Sequence, residues 1–499
     1  MGMRSIGTFS LVLHTHLPWV AHNGTWPVGE EWLHQAFTGS WRRVLRVLEN
    51  LAGHGYSDVL TLGVTPVVAA MMDDPYCLRE LHSWTGRWQL RAEELSSRAG
   101  FTELAAHERR QAGECLADLE ARWLSGGLSG VLRPLVDAGV VELLSGPATH
   151  PFQPLLTERF AAAQLRTGLA DAGLRLGRTV RGIWAPECGY APGMEEFYAA
   201  HGVSHFLVDG PAVRGDTGLA HPVGDSEVLA FARDVELSNR IWSSRSGYPA
   251  GSSYRDFHTF DHASGFRPAR VTSTGSPVKQ AWRAEPARAA VLRDARDFVA
   301  AVVNRLTELD AQQGRPGLVV AAFDTELFGH WWYEGPAFLD AVLRLLPQAG
   351  VSLRTLQGAR EAGLVGRPVE LPASSWGAGK DWRVWDNPAV AELTEELGHV
   401  QKRLFSVLDE RAAFDGVHGG RDPALDQLMR EAFLLSSSDW AFMVSRDSAA
   451  GYAWQRARGH ADRFWELADL VQSGADPAPL AGRLRELDGP FGHLDARTC

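Results

Sequence analysis

Five short apolar runs along this chain each end abruptly in a polar or acidic residue. They are Thr8 to Leu13 before His14, Val140 to Leu144 before Ser145, Thr179 to Trp184 before Glu187, His205 to Val208 before Asp209, and Leu318 to Phe323 before Asp324. Between them the periodicity changes. Over Glu30 to Leu51, the residues Leu33, Phe37, Trp41, Leu45 and Leu48 recur at the steps of a helix buried on one side. Strand-like and helical segments in alternation predict a parallel sheet. In a (β/α) barrel the polar groups at strand C-terminal ends converge on one mouth, which is the pattern these runs show. An open doubly wound sheet also places ligands at strand ends, but the chain carries no G-x-G-x-x-G and no phosphate loop. The barrel is the favoured reading.

Leu81 to Trp123 is rich in Glu, Arg, Ala and Leu and has no strand pattern, which predicts a helical insertion near 81–123. Asp234 to Pro277 is rich in Ser, Gly, Arg and Tyr with weak periodicity. A loop that long inside a compact domain is usually functional, so an active-site loop near 234–277 is expected. Past residue 365 the character changes. Leu371 to Pro388 is a connector with Trp and Gly, and then Val390, Leu393, Leu397, Val400, Leu404 and Val407 repeat in steps of three and four. Asp422 and Pro423 supply the N-cap and first-turn residues of a further helix. The expected organisation is a catalytic barrel over 1–365 and an all-α C-terminal domain over 366–499.

Composition narrows the function classes. A chain of 499 residues with 45% apolar and 22% charged positions is a soluble globular enzyme with more than one core. Its 49 basic and 60 acidic residues give a net charge of -11, no footprint for nucleic acid or an anionic membrane surface, so a neutral substrate fits better. Cys77, Cys115, Cys188 and Cys499 form no C-x-x-C pair, which argues against a disulfide framework or thiolate zinc site and for a reducing cytoplasm. Arg4 precedes a short apolar stretch, but His14 and His16 interrupt it, so it reads as a strand rather than a secretory leader. No apolar run approaches the roughly 20 residues needed to span a bilayer. Eighteen Trp residues leave some rings over to stack on sugar faces once the core is filled.

Two segments carry the chemistry. In Trp184-Ala-Pro-Glu-Cys-Gly-Tyr190 a β-run delivers Glu187 before a turn, and in Phe323-Asp-Thr-Glu-Leu-Phe-Gly-His-Trp-Trp-Tyr333 a buried strand ends in Asp324 and Glu326 followed by rings. Two carboxylates at a glycosidic bond divide the work: one attacks the anomeric carbon and the other protonates the leaving oxygen. Retention of configuration requires them about 5–5.5 Å apart. Asp324 directly follows its strand and takes the chemistry; Glu326, equally at home as a helix N-terminal acid, takes a supporting role. His14, His16 and His150 stand at two further strand ends, suited to sugar hydroxyls or to a metal. The metal reading, an amide or ester hydrolase, lacks a His-Glu-x-x-His and an Asp adjacent to His14 and His16. Trp376 and Trp385, nine residues apart among Gly and Pro, are candidates to stack on glucose, as is Trp440. Tyr452, Arg456 and His460 share one helix face and are read as packing.

Together these segments resemble glycoside hydrolase family 57, and more narrowly its 1,4-α-glucan branching enzymes. The resemblance rests on His14-Thr-His16-Leu-Pro18, Ser145-to-His150 with Pro151-Phe-Gln-Pro154, the Glu187 and Asp324 segments, and Ser374-Ser-Trp-Gly377, all in family order. It implies a (β/α)7 barrel followed by a helical C-terminal domain. It also implies Glu187 as nucleophile, Asp324 as general acid/base, an α-glucan substrate, and no metal or other cofactor. On that pattern His14 and His150 line the donor sugar subsite, Trp376 and Trp385 project towards the glucan, and Tyr248 belongs to a loop that favours transfer over hydrolysis. The chain departs from the pattern in Tyr248-Pro-Ala-Gly251, where glycine is expected directly after the proline, and in Asn387-Pro-Ala-Val390, where a tryptophan is expected nearby. Rival readings are an α-glucan hydrolase or 4-α-glucanotransferase with the same pair, a metal-dependent deacetylase, and a non-catalytic glucan-binding protein.

Overall fold

The computed structural model describes residues 5–243, 246–273, 277–415 and 420–498. Its strands are β1 (Gly7–Thr15), β2 (Leu60–Val64), β3 (Val141–Ser145), β4 (Gly182–Ile183), β5 (His205–Asp209), β6 (His221–Pro222), β7 (Leu229–Arg233), β8 (Leu318–Asp324) and β9 (Val351–Leu353). β1 to β5 and then β7 lie side by side and parallel, and β8 pairs parallel with the other edge of β1. A hydrogen bond from Asp234 N–H to Val320 O, 2.8 Å, ties the end of β7 to β8 and closes the ring. This is the seven-stranded (β/α) barrel. β6 pairs antiparallel with the first half of β7, and β9 pairs with the first residues of β1.

Strand parity decides what reaches the mouth. Along β8, Leu318, Val320 and Ala322 fill the barrel interior with Val12, Leu144, Trp184 and Phe231, while Val319, Ala321 and Phe323 face the surrounding helices. Side chains alternate across a strand, so Asp324 continues the inward row of β8, and His14 continues the inward row of Val12 on β1. The two are register partners at the top of adjacent strands.

Four strands lie outside the five runs: β2 and β7 of the barrel, and the short β6 and β9. The predicted helix over Glu30 to Leu51 is a helix Glu30–Ala36, a π-type turn Phe37–Trp41 and a helix Arg42–Gly53. Helices Pro75–Leu95 and Thr102–Asp118 occupy the region of the expected insertion. The first begins at Pro75 because the Asp74 carboxylate accepts from Tyr76 N and Cys77 N. Within 234–277, Asp234 caps a helix Val235–Trp242, and the rest is laced by bridges between Arg255 and Arg270 and between Asp261 and Phe266.

The C-terminal region is helical: Ala391–Asp415, Pro423–Leu435, Ser438–Ser445, Ala450–Ser473 and Ala478–Leu487. Asp422 caps the second by accepting from Ala424 N, with Pro423 in its first turn. That helix is buried on every side from Ala424 to Leu435, so the others pack around it. Among the described residues no helix is long and apolar enough to cross a membrane.

Candidate active site

The chain turns sharply after β4. Glu187 and Cys188 both adopt left-handed backbone angles, φ 60° and 49°, and so does His150 after β3, at 57°. Such angles cost a non-glycine residue about 1–3 kcal/mol and cluster where geometry serves function. Here the turn points the Glu187 carboxylate at two donors from outside the barrel. Trp376 Nε1 donates to Oε2 at 2.9 Å and Ser438 Oγ donates to Oε1 at 3.0 Å. The backbone N–H of Trp376 also donates to the Glu187 carbonyl, at 2.9 Å. The connector and the helical region therefore each hold one oxygen of this carboxylate.

A chain of imidazoles runs beneath it. His150 Nδ1 lies 3.0 Å from Ser438 Oγ, and His150 Nε2 lies 3.1 Å from His14 Nε2. The proton directions are fixed from one end. If Glu187 is ionised, the Ser438 hydroxyl donates to it and accepts from His150 Nδ1–H, leaving His150 Nε2 to accept from His14 Nε2–H. His14 Nδ1 is then unprotonated, and it is a buried nitrogen with no partner among the described residues. Burial, with the neighbouring imidazoles, holds His14 and His150 well below the ordinary histidine range, so both are neutral as this network needs. The His14 ring stacks on Trp184 at 4.2 Å and the His16 ring on His150 at 3.8 Å.

His16 completes a second contact between barrel and helices, its Nε2 bonded to Asp439 at 2.9 Å and its Nδ1 to Thr65 Oγ1 at 3.0 Å. Burial acts upward on Asp439, but the His16 charge and hydrogen bond outweigh it and bring the carboxyl down to about 2. His16, His150 and Asp439 present nitrogen and oxygen atoms within 4.8 Å of one another, a donor set that a divalent cation can use. The same atoms are engaged with Ser438, His14 and each other.

Burial pushes the Glu187 carboxyl up to about 7 and Asp324 up to about 6. Both carboxyls therefore titrate near neutrality, where a carboxyl can serve as either acid or base. Hydrogen bonds from Trp376 and Ser438 act against burial on Glu187, and the electrostatic pull of His16 and Arg233 acts against it on Asp324. Behind it, Glu326 is raised to about 8 by burial and by Asp324, and accepts from Trp41 Nε1. Trp41 closes the π-type turn, a feature frequent at functional sites.

The structure thus gathers His14, His16, His150, Glu187, Asp324 and Trp376. It does not gather the rest. Glu326 lies beyond the strand in the 3-10 turn Thr325–Leu327, behind Asp324, with its carboxylate on Trp41. Trp385 is buried and stacks on Phe152 at 4.5 Å and 8°, leaving no face for a sugar. Trp440 is buried too, its Nε1 donating to Leu434 O. Tyr248 packs on Phe298 and Phe338 with its hydroxyl on Asp297, which places it against the outer helices.

Residues overlooked in the sequence complete the rim. Arg233 ends β7, donates to Asp209 at 2.9 Å and lies 5.4 Å over the Trp376 ring, and Lys380 reaches the same Asp209 at 2.6 Å. Leu229-Ala-Phe-Ala-Arg233 has the same apolar-then-polar form as the five runs, so its signal was present. Ser438 and Asp439 carried a weaker one, a polar Ser436-Ser-Ser-Asp439 run between apolar helices.

A model of glycosyl hydrolase family 57 matches residues 10–360. The chain belongs to that family. A second model, described as the C-terminal part of 1,4-alpha-glucan branching enzymes, matches residues 397–498. The chain is 51% identical, over 98% of both lengths, to a Mycobacterium tuberculosis protein named a probable 1,4-alpha-glucan branching enzyme. It is 33% identical, over 97% of this chain and 77% of the other, to a 1,4-alpha-glucan branching enzyme of Thermococcus kodakarensis. Among solved structures it superposes on a family 57 branching enzyme from Thermococcus kodakaraensis with a TM-score of 0.92 at 31% identity, covering 98% and 96% of the two chains. An α-amylase from Thermotoga maritima gives 0.87 at 26% identity and 99% coverage of both.

Proposed function

We propose that this protein is a 1,4-α-glucan branching enzyme that works by retaining double displacement with Glu187 as nucleophile and Asp324 as general acid/base. One observation carries the reading. The region matched by the branching-enzyme C-terminal model reaches into the barrel and sets the Ser438 hydroxyl on the Glu187 carboxylate. The relatives named branching enzymes support it, as does the amount of each chain they share. A barrel over 1–365 and a helical unit over 366–499 that completes its site are the working parts.

In the first step a Glu187 oxygen attacks C1 of an α-1,4-linked donor, the C1–O4 bond breaks, and the Asp324 proton passes to O4 of the departing chain. A covalent glucosyl ester remains. In the second, Asp324 takes the proton of an acceptor 6-hydroxyl, that oxygen attacks C1, and Glu187 leaves as a carboxylate. The product is an α-1,6 branch of retained configuration. Trp376 and Ser438 stabilise the carboxylate before attack and after departure. His14, His16 and His150 form a hydrogen-bonding floor for the donor sugar, and no step calls on a metal or organic cofactor. The partner is an α-glucan rather than nucleic acid or a membrane. The compartment is the cytoplasm, where the buried free thiols of Cys77, Cys115 and Cys188 stay reduced.

The test is incubation with amylose, followed by enzymatic debranching and chain-length profiling. Wild-type protein is expected to yield short chains that appear only after debranching, while Glu187→Gln and Asp324→Asn yield none. Amylose left linear and merely shortened would show that water is the acceptor and that the enzyme is a hydrolase.

A further inference from the structure

Away from the imidazole floor, a groove of about 550 Å³ runs between helix Pro75–Leu95, the start of helix Glu30–Ala36, segment 255–267 and residues 329–333. That volume is in the range of ligand sites, roughly 300–1,000 Å³. Its fourth wall begins a few residues beyond Asp324, so the groove flanks the barrel mouth.

The lining has the chemistry of a sugar site. Phe260 and Trp331 are 37% and 38% exposed, more than large rings that only pack usually are. Some of its charges pair off, Arg255 with Glu108 at 2.6 Å and Arg98 with Asp261 at 3.2 Å, while Arg267 Nε donates to the Phe257 carbonyl. Arg91 also lines the groove. Its guanidinium lies between the rings of Trp84 and Phe266, at 5.6 and 6.0 Å, and its buried Nε has no acceptor among the described residues. A planar donor in a groove that also carries the exposed rings of Phe260 and Trp331 suits a neutral ligand with apolar faces and hydroxyl edges.

We infer that this groove holds a second α-glucan chain, the acceptor, independently of the donor in the catalytic cleft. The inference rests on the branching reading, since transfer needs a second chain held while the glucosyl ester persists. Rings stack on its pyranose faces and Arg91 donates to its hydroxyls.

The experiment uses the full chain with Phe260→Ala and Arg91→Met, each first shown by thermal melting to fold. In a Glu187→Gln background, where turnover is blocked, retardation in amylose-containing native gels measures binding. Each variant is expected to weaken it about fivefold, the effect of about 1 kcal/mol. With Glu187 intact, half-saturation for amylose is expected to rise similarly, while cleavage of a chromogenic maltotrioside stays within twofold. Retardation equal to the parent's in both variants would overturn the site. So would loss of maltotrioside cleavage in step with branching, which marks a merely structural role. If wild-type protein forms no α-1,6 linkage, the branching reading fails and the acceptor role with it, whatever the gels show.

Discussion

Two clusters of histidine and carboxylate in this protein use nearly the same residues to opposite ends. At the barrel mouth stand His14, His16, His150, Asp439 and Glu187. In the helical region stand Glu431, His460 and Asp488, every side chain fully buried. There His460 Nδ1 donates to Glu431 at 2.8 Å, His460 Nε2 accepts from Arg456 at 2.9 Å, and Arg463 pairs with Asp488. Arg456 also donates to the Trp19 carbonyl at 2.6 Å, and Tyr452 to that of Asn23 at 2.9 Å, so this cluster fastens the helices to the loop after β1. Burial raises Glu187 and Glu431 alike to about 7. A perturbed carboxyl therefore does not identify the active site. Access does: guanidinium groups seal one cluster and Glu431 is fully buried, while the Glu187 side chain keeps 14% exposure and is held by neutral donors.

The largest expected difference is between removing the two glutamates. Glu187→Gln should lower branching on the order of 10³-fold or more. A carboxyl raised from 4.5 to about 7 contributes stability below its unfolded value and loses it as pH rises through 7, so ionised Glu187 opposes folding in mild alkali. Its removal should leave the melting temperature at pH 8 unchanged or higher. Glu431→Ala should do the reverse in stability, costing about 1–3 kcal/mol for each buried donor it strands, His460 Nδ1–H and the Gln427 amide. Glu431→Gln, which still accepts from His460, should cost far less. Chemical denaturation with activity measured in parallel separates these cases, and a Glu431→Ala protein as stable as the parent would refute the contrast.

Next is Trp376→Phe, which keeps the ring but deletes the donor to Glu187 Oε2. A hydrogen bond to a charged group is worth about 1.5–3 kcal/mol, so a roughly 10- to 100-fold fall in kcat is expected with little change in melting. Smallest is Ser438→Ala, about tenfold in kcat/KM. It removes a donor that favours ionised Glu187, so the acid limb of the pH profile should move to higher pH, and Ser438→Thr should restore it. An unmoved limb would reduce Ser438 to packing.

The catalytic segments were legible because strand parity is written in the sequence. In Leu318 to Asp324 the alternation that fills the barrel also aims Asp324 into it, and His14 follows by the same rule on β1. Trp376 and Trp385 were not separable on such grounds. They are nine residues apart in similar Gly and Pro surroundings, yet one holds Glu187 and the other stacks on Phe152. Tyr248 likewise carries a family-like neighbourhood but lies on Phe298 and Phe338.

The sequence by itself determined the barrel, the helical region after it and the two acids at strand ends, since all three follow from local periodicity and its interruptions. Only the tertiary structure decided which donors complete Glu187. Ser438 and Trp376 are remote from it along the chain, and no local pattern encodes which distant hydroxyl or indole meets a given carboxylate. That is set by how the helical region packs against the barrel.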